Sequence, residues 1–267
     1  MITWSAHLSM LFTEHPFIER PAAARAAGFA AAEVWWPSPE VTEPWVSAVV
    51  ASSLRIVLIN ADAGRLERGE RGFLNMPDRH EENLHRFAEA VRLARRVAAP
   101  RINVLVGRSL PGVSLSDQMA AARIALTDCG ELAAEAGVTV LVENINGDDV
   151  PGYLVPRPRD VADLIEAIDL PSVRMLYDAY HAARVGSDPK EDVASFIGLI
   201  DHVQFADCPG RGAPGTGRTA FWPFVQQLAD LGYSGAIGLE FDPQGPTASS
   251  LKFLATMLVQ PHRSAEV

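Results

Sequence analysis

Eight short apolar runs, each followed by a stretch with helical spacing, constrain this chain more than any other feature. The strand-like runs fall at residues 2–9, 31–36, 55–61, 101–107, 139–145, 173–177, 202–206 and 236–241. Between and after them, helical patterns occupy residues 17–27, 43–53, 78–98, 116–136, 158–168, 189–199, 219–231 and 247–259. One β/α unit recurs about every 33 residues, the spacing a (β/α)₈ TIM barrel needs. The runs are nearly continuous in Val, Ile and Leu, as expected of parallel strands covered on both faces. An open doubly wound sheet is the alternative, but no G-x-G-x-x-G follows the first run. No Pro/Ser-rich linker interrupts the pattern, so residues 1–267 are expected to form one barrel domain. Asp78 is expected to cap the helix over 78–98, and Gly28, Gly137 and Gly232 to end helices.

Lys and Arg number 23 against 33 Asp and Glu, a formal charge of −10. That balance disfavours a polyphosphate partner, and no basic run offsets it, so nucleic acid is not an expected partner. No apolar run reaches 18 residues, so no membrane span is expected. The first ten residues lack a basic segment followed by an apolar one. The two cysteines, Cys129 and Cys208, form no C-x-x-C pair. A reducing, cytoplasmic setting is therefore the expectation.

In a TIM barrel the chemistry gathers at the C-terminal ends of the strands. Glu143 ends the fifth run in T-V-L-V-E-N-I, Asp178 the sixth, and Glu240 the eighth in A-I-G-L-E-F, while Gln204 lies in the seventh. These four are spaced 35, 26 and 36 residues apart, about one unit each. They would converge from four consecutive strands. A carboxylate in an apolar strand is costly unless it is paired or bound to a cation. Three acids and an amide oxygen form an all-oxygen set suited to a divalent metal such as Mg²⁺ or Mn²⁺. The competing reading is that each acid pairs with a nearby Arg and does nothing more.

Other residues could face the same rim. His181 follows Asp178 by three positions, and His7 lies near the end of the first run. Both could instead be structural histidines. The Gly/Pro-rich loop from Asp207 to Arg218 could approach a ligand and bring Arg211 to it, although Asp207 could simply start a turn. Glu70, Arg71 and Gly72 form a candidate lid or a solvated charge cluster. Trp4, Trp35 and Trp36 read most simply as core. No G-x-S-x-G is present, so a Ser/His/Asp hydrolase finds no support.

The opening S-A-H-L-S-M-L-F-T-E-H-P-F-I-E-R, G-E-R-G at 69–72, L-V-E-N-I-N, Y-D-A-Y-H, H-V-Q-F-A-D, R-G-A-P-G-T-G and I-G-L-E-F together resemble hydroxypyruvate isomerases, within the xylose-isomerase-like barrels. The resemblance runs over nearly the whole chain and extends to the 2-oxo-tetronate isomerases. It implies a divalent metal held by Glu143, Asp178, Gln204 and Glu240, with Glu143 and Glu240 as the acid/base pair. It also implies substrate contacts from His181 and Arg211. Related sugar epimerases carry His where this chain has Gln204, so the Gln favours the hydroxypyruvate-type branch.

The implied reaction converts hydroxypyruvate to tartronate semialdehyde through a cis-enediolate. A carboxylate substrate needs a cationic partner, and Arg71, Arg108 and Arg211 are candidates. A 2-oxo-tetronate isomerase, a ketose 3-epimerase or another sugar-acid isomerase is the nearest alternative; a metal-dependent endonuclease and a non-catalytic barrel are more distant ones. Barrels of this superfamily often associate, so a homo-oligomer is open, with no interface fixed by the sequence. The chain departs from the family pattern at Asp62, Arg65, Asn144, Gly210, Ala213, Asp242 and the Trp35–Trp36 pair. All lie around the expected mouth.

Overall fold

The computed structural model describes residues 2–255. Eight strands close into a barrel in chain order, every neighbouring pair parallel. They are β1 (Thr3–His7), β2 (Ala31–Val34), β3 (Arg55–Asn60), β4 (Arg101–Val104), β5 (Thr139–Glu143), β6 (Val173–Asp178), β7 (Ile200–Phe205) and β8 (Ala236–Leu239). The helices around them are α1 (Arg20–Ala26), α2 (Pro39–Ser52), α3 (His80–Val97), α4 (Leu115–Ala136), α5 (Pro158–Ile168), α6 (Ala179–Arg184), α7 (Pro189–Phe196), α8 (Phe221–Asp230), α9 (Thr247–Ser250) and α10 (Lys252–Ala255). Among the described residues, no helix is long and apolar enough to cross a membrane.

The helix over 158–168 has the bounds its periodicity predicts. Asp78, expected as the cap of α3, is not one. It sits inside a 3₁₀ turn, Pro77–Arg79, and Arg79 holds the N-cap position without a side-chain hydrogen bond. Proline, with its fixed φ and no N–H, suits the first position of a helical turn, so Pro77 opens the structure before Asp78 can cap it. Ser114 does cap α4, accepting from the Asp117 amide. The expected helix over 247–259 divides into α9 and α10, and its residues 256–259 lie outside the described residues.

Most of the core lies between the outer face of the barrel and the helices. Trp45 of α2 is fully buried there, stacked on Phe17 at 6.1 Å between ring centroids. The inside of the barrel is different. Side chains alternate along a strand, so residues two apart share a face. Ala31, Leu141, Leu176 and Ala236 belong to a small separate apolar cluster. One pleat further on, along the same inner face, come Glu33, Glu143, Asp178 and Gly238, followed by Glu240. The barrel is thus plugged with apolar residues toward its N-terminal end and becomes polar toward its C-terminal rim.

Candidate active site

The strand register brings the expected residues to one rim. Asp178 and Gln204 are direct neighbours across β6 and β7, and Gln204 faces Gly238 two residues before Glu240. Glu143 pairs with Leu176, two residues before Asp178. Glu143, Asp178, Gln204 and Glu240 are all buried. Asn103 of β4 donates to Glu143 Oε2 at 2.7 Å. The Trp35 indole N–H donates to Glu240 Oε1 at 3.0 Å, and His7 Nε2 lies 3.5 Å from the same oxygen. The Arg211 guanidinium reaches to 3.0 Å from Glu240 Oε2 and lies over the Tyr180 ring.

These carboxylates do not behave alike. Burial, together with the charges of Glu240 and Asp178, holds the Glu143 carboxyl well above its usual range. Burial and Glu240 push Asp178 up to about 7. Burial acts on Glu240 too, but Arg211 and other partners outweigh it and hold its carboxyl low. Burial opposes the charged form of Arg211, yet Glu240, Asp178 and Glu143 raise its pKa. His181 is driven down to about 3 by burial and by Arg211, so it is neutral at physiological pH. Three buried acids therefore confront one guanidinium and a neutral imidazole.

The donors suit a hard dication. Gln204 Nε2 donates to Glu33 Oε1 at 2.8 Å, while Gln204 Oε1 is buried and has no hydrogen-bond partner among the described residues. Glu33 is itself held by His202 Nε2 at 2.8 Å. The amide is thereby oriented with its oxygen free, whereas Glu240 Oε2 is met by the Arg211 guanidinium. Unpartnered buried oxygens beside carboxylates are what an oxygen-seeking cation would satisfy. Among the described residues, Glu143, Asp178 and His181 each offer an atom within 4.8 Å of the others, close enough for one ion. His181 Nε2 lies 3.8 Å from Glu143 Oε1 and 3.9 Å from Asp178 Oδ2.

The remaining expected residues take varied roles. Asp207 anchors its own loop: its carboxylate accepts from the Gly215 and Thr219 amides, each at 2.9 Å. It is a loop staple, as the turn reading allowed. Arg71 donates to the Leu66 and Glu70 carbonyls, and Arg108 to those of Pro151 and Gly69. Burial and the nearby Arg108 charge depress the pKa of Arg71. Neither guanidinium forms an ion pair among the described residues, so two cationic groups stand close together above the rim without a carboxylate.

Several site residues have roles that the sequence reading does not give. Trp35, read there as core, instead bonds Glu240. Asn144 pairs its side-chain amide with both backbone groups of Asp178, each at 3.1 Å. It thereby extends the β5–β6 ladder by one step and fixes the Asp178 backbone. Glu33, Asn103, Asn146 and His202 also go unrecognised. A polar residue within an apolar strand was the available signal for Glu33, Asn103 and His202.

Comparisons with known proteins agree with this architecture. The family model described as "Xylose isomerase-like TIM barrel" matches residues 21–257. A hydroxypyruvate isomerase of Escherichia coli is 32% identical over 255 residues, covering 95% of this chain and 98% of that one. A 2-oxo-tetronate isomerase of Cupriavidus necator is 32% identical over 259 residues, covering 97% and 99%. A crystal structure from Brucella melitensis, titled as an AP endonuclease of family 2, superposes with a TM-score of 0.92 at 28% identity, covering 96% of this chain and 99% of that one. The chain belongs to the xylose isomerase-like TIM barrels, in the hydroxypyruvate isomerase family.

Proposed function

We propose that the protein is an isomerase of small hydroxy-oxo acids, converting hydroxypyruvate to tartronate semialdehyde. Glu143 and Glu240 move the protons, and Glu143, Asp178, Gln204 and Glu240 would hold a divalent cation, Mg²⁺ or Mn²⁺. One observation carries the reading: a buried excess of carboxylate at one rim, set against a single arginine and beside an unpartnered amide oxygen. Buried charge of that kind is costly unless a cation balances it. When bound, the cation supplies Lewis-acid polarisation of the substrate carbonyl and offsets the negative charge that develops on oxygen.

The residues of the chain account for the rest. One glutamate removes a proton from the hydroxymethyl carbon, leaving a cis-enediolate. A proton passes between the two neighbouring oxygens, and the other glutamate delivers a proton to the former carbonyl carbon. The product is the aldehyde isomer, with no net change in atoms or electrons. Asn103 donates to one of the two glutamates and Trp35 to the other. Arg211 sits against Glu240, and Arg71 and Arg108 form no ion pair among the described residues. Bidentate guanidinium geometry suits a substrate carboxylate.

A four-carbon oxo acid is the second reading, favoured by the equally similar Cupriavidus necator relative. Incubating the Mn²⁺-loaded protein separately with hydroxypyruvate, 2-oxo-tetronate and a ketohexose tests both. The first reading predicts the highest kcat/KM on hydroxypyruvate. Preference for 2-oxo-tetronate selects the second, and turnover of the ketohexose alone overturns both.

A further inference from the structure

The side chain of Asn146 decides what His181 can do. Asn146 lies just beyond β5, and its Oδ1 accepts from two backbone amides, Asp148 at 3.0 Å and Asp149 at 2.9 Å. Only an oxygen can take both, so the amide cannot be turned around. Its Nδ2 must then be the atom that meets Asp149 Oδ2 at 3.0 Å and His181 Nδ1 at 2.6 Å. An amide nitrogen has hydrogens and no lone pair to offer. His181 Nδ1 is therefore the acceptor in this contact, and in the neutral ring the hydrogen resides on Nε2.

We infer that Asn146 is a positioning residue that locks His181 as its Nε2–H tautomer, making it a hydrogen-bond donor to substrate oxygen and not a metal ligand. Geometry alone groups His181 with Glu143 and Asp178 as a cation cluster. Protonation reverses that reading, because the nitrogen facing the acids has no free lone pair. The 3.8 and 3.9 Å gaps from Nε2 to Glu143 Oε1 and Asp178 Oδ2 are too long for direct hydrogen bonds. A small oxygen between them would receive the N–H. Other groups support the arrangement. Tyr180 packs against the ring at 5.1 Å between centroids, with Arg211 over the Tyr180 ring in turn, Asp149 accepts from Asn146, and the His181 backbone amide is held by Asp178 Oδ1 at 3.0 Å. The donor role in turnover rests on the isomerase reading; the tautomer and the absence of metal ligation do not.

Long-range ¹H–¹⁵N correlation spectra of the full-length protein read the tautomer directly, with His181→Asn identifying the signals. The protonated nitrogen is expected to couple to both ring carbon hydrogens, marking it as Nε2. A protonated Nδ1 in the wild type would overturn the inference, whatever the protein's activity. Asn146→Asp replaces the amide donor by an acceptor and is expected to shift the hydrogen to Nδ1 and lower kcat at least 10-fold, with KM changing less. An unchanged tautomer in a folded Asn146→Asp variant would overturn it too; if that variant does not fold, the wild-type spectrum still decides. Mn²⁺ titration of His181→Asn separates the roles. Affinity within about 2-fold of wild type is expected, and a loss of 10-fold or more would make His181 a ligand.

Discussion

Gly238 shows how much a single missing methyl shapes this site. A Cβ there would lie 2.2 Å from Glu33 Oε1, so only glycine leaves room for that carboxylate inside the barrel. Glu33 in turn fixes the Gln204 amide, and through it the direction of the free Gln204 oxygen. Gly238→Ala is expected to cost about 1–3 kcal/mol of stability, the range for overpacking a tight core. It should also weaken Mn²⁺ binding by about 10–100-fold, as loss of a supporting partner does. Denaturant unfolding and metal titration check the two effects, and unchanged metal affinity would separate Glu33 from the site. Residues of this kind explain what the sequence could not reveal. Glu143, Asp178, Gln204 and Glu240 were legible because strand ends recur at a fixed spacing. The contacts of Trp35, Asn144 and Asn146 were not, because each acts on a partner from another strand or loop. Trp35 and Glu240 are 205 positions apart, and no local pattern records their contact.

The elements were legible to the extent that periodicity and caps are local. Apolar runs located all eight strands, and α5 kept its predicted bounds, because an amphipathic stripe between Pro158 and Ile168 needs no tertiary information. Asp78 failed as a cap since Pro77 starts a 3₁₀ turn first. The short α6 was missed because its start is set by Asp178, a residue read only as a strand end, whose side chain accepts from the His181 amide. At the start of α3, Arg79 and Arg86 both grip Glu82 and hold its carboxyl at about 2, below the ordinary 4.5. The native value is depressed, so this stabilisation is fully present above pH 4.5 and is lost as pH falls toward 2. The pair is partly exposed, which limits its worth to about 1 kcal/mol or less. Glu82→Gln should therefore destabilise the protein slightly at pH 7, and the gap should close as pH approaches 2. Urea unfolding of both proteins across that range checks it. A gap that persists undiminished to pH 2 would contradict the ion-pair account.

Closure of the barrel is what turns scattered strand-end residues into one site. Glu33 and Trp35, from β2 and just beyond it, reach Gln204 of β7 and Glu240 after β8 only because the ring returns β8 to β1. The family resemblance and the strand spacing both anticipated that closure, whereas the rim loops carrying Arg71, Arg108 and Arg211 gave only residue types. If the clustered acids hold a dication, the whole fold should respond to it. Mn²⁺ at 100 times its Kd would add about 2.7 kcal/mol to stability. For a chain of this size that is about 5–10 °C in Tm. Thermal unfolding with Mn²⁺ and with a chelator measures it, and equal Tm values would leave the buried carboxylates without their expected counter-ion. The proton-transfer assignment is tested most directly by steady-state turnover of hydroxypyruvate at saturating Mn²⁺, comparing wild type with Glu240→Gln. A general acid/base contributes about 10²–10⁴-fold, so kcat should fall by that factor while cooperative unfolding persists. A Glu240→Gln protein that turns over hydroxypyruvate within 2-fold of the wild-type rate would contradict the account.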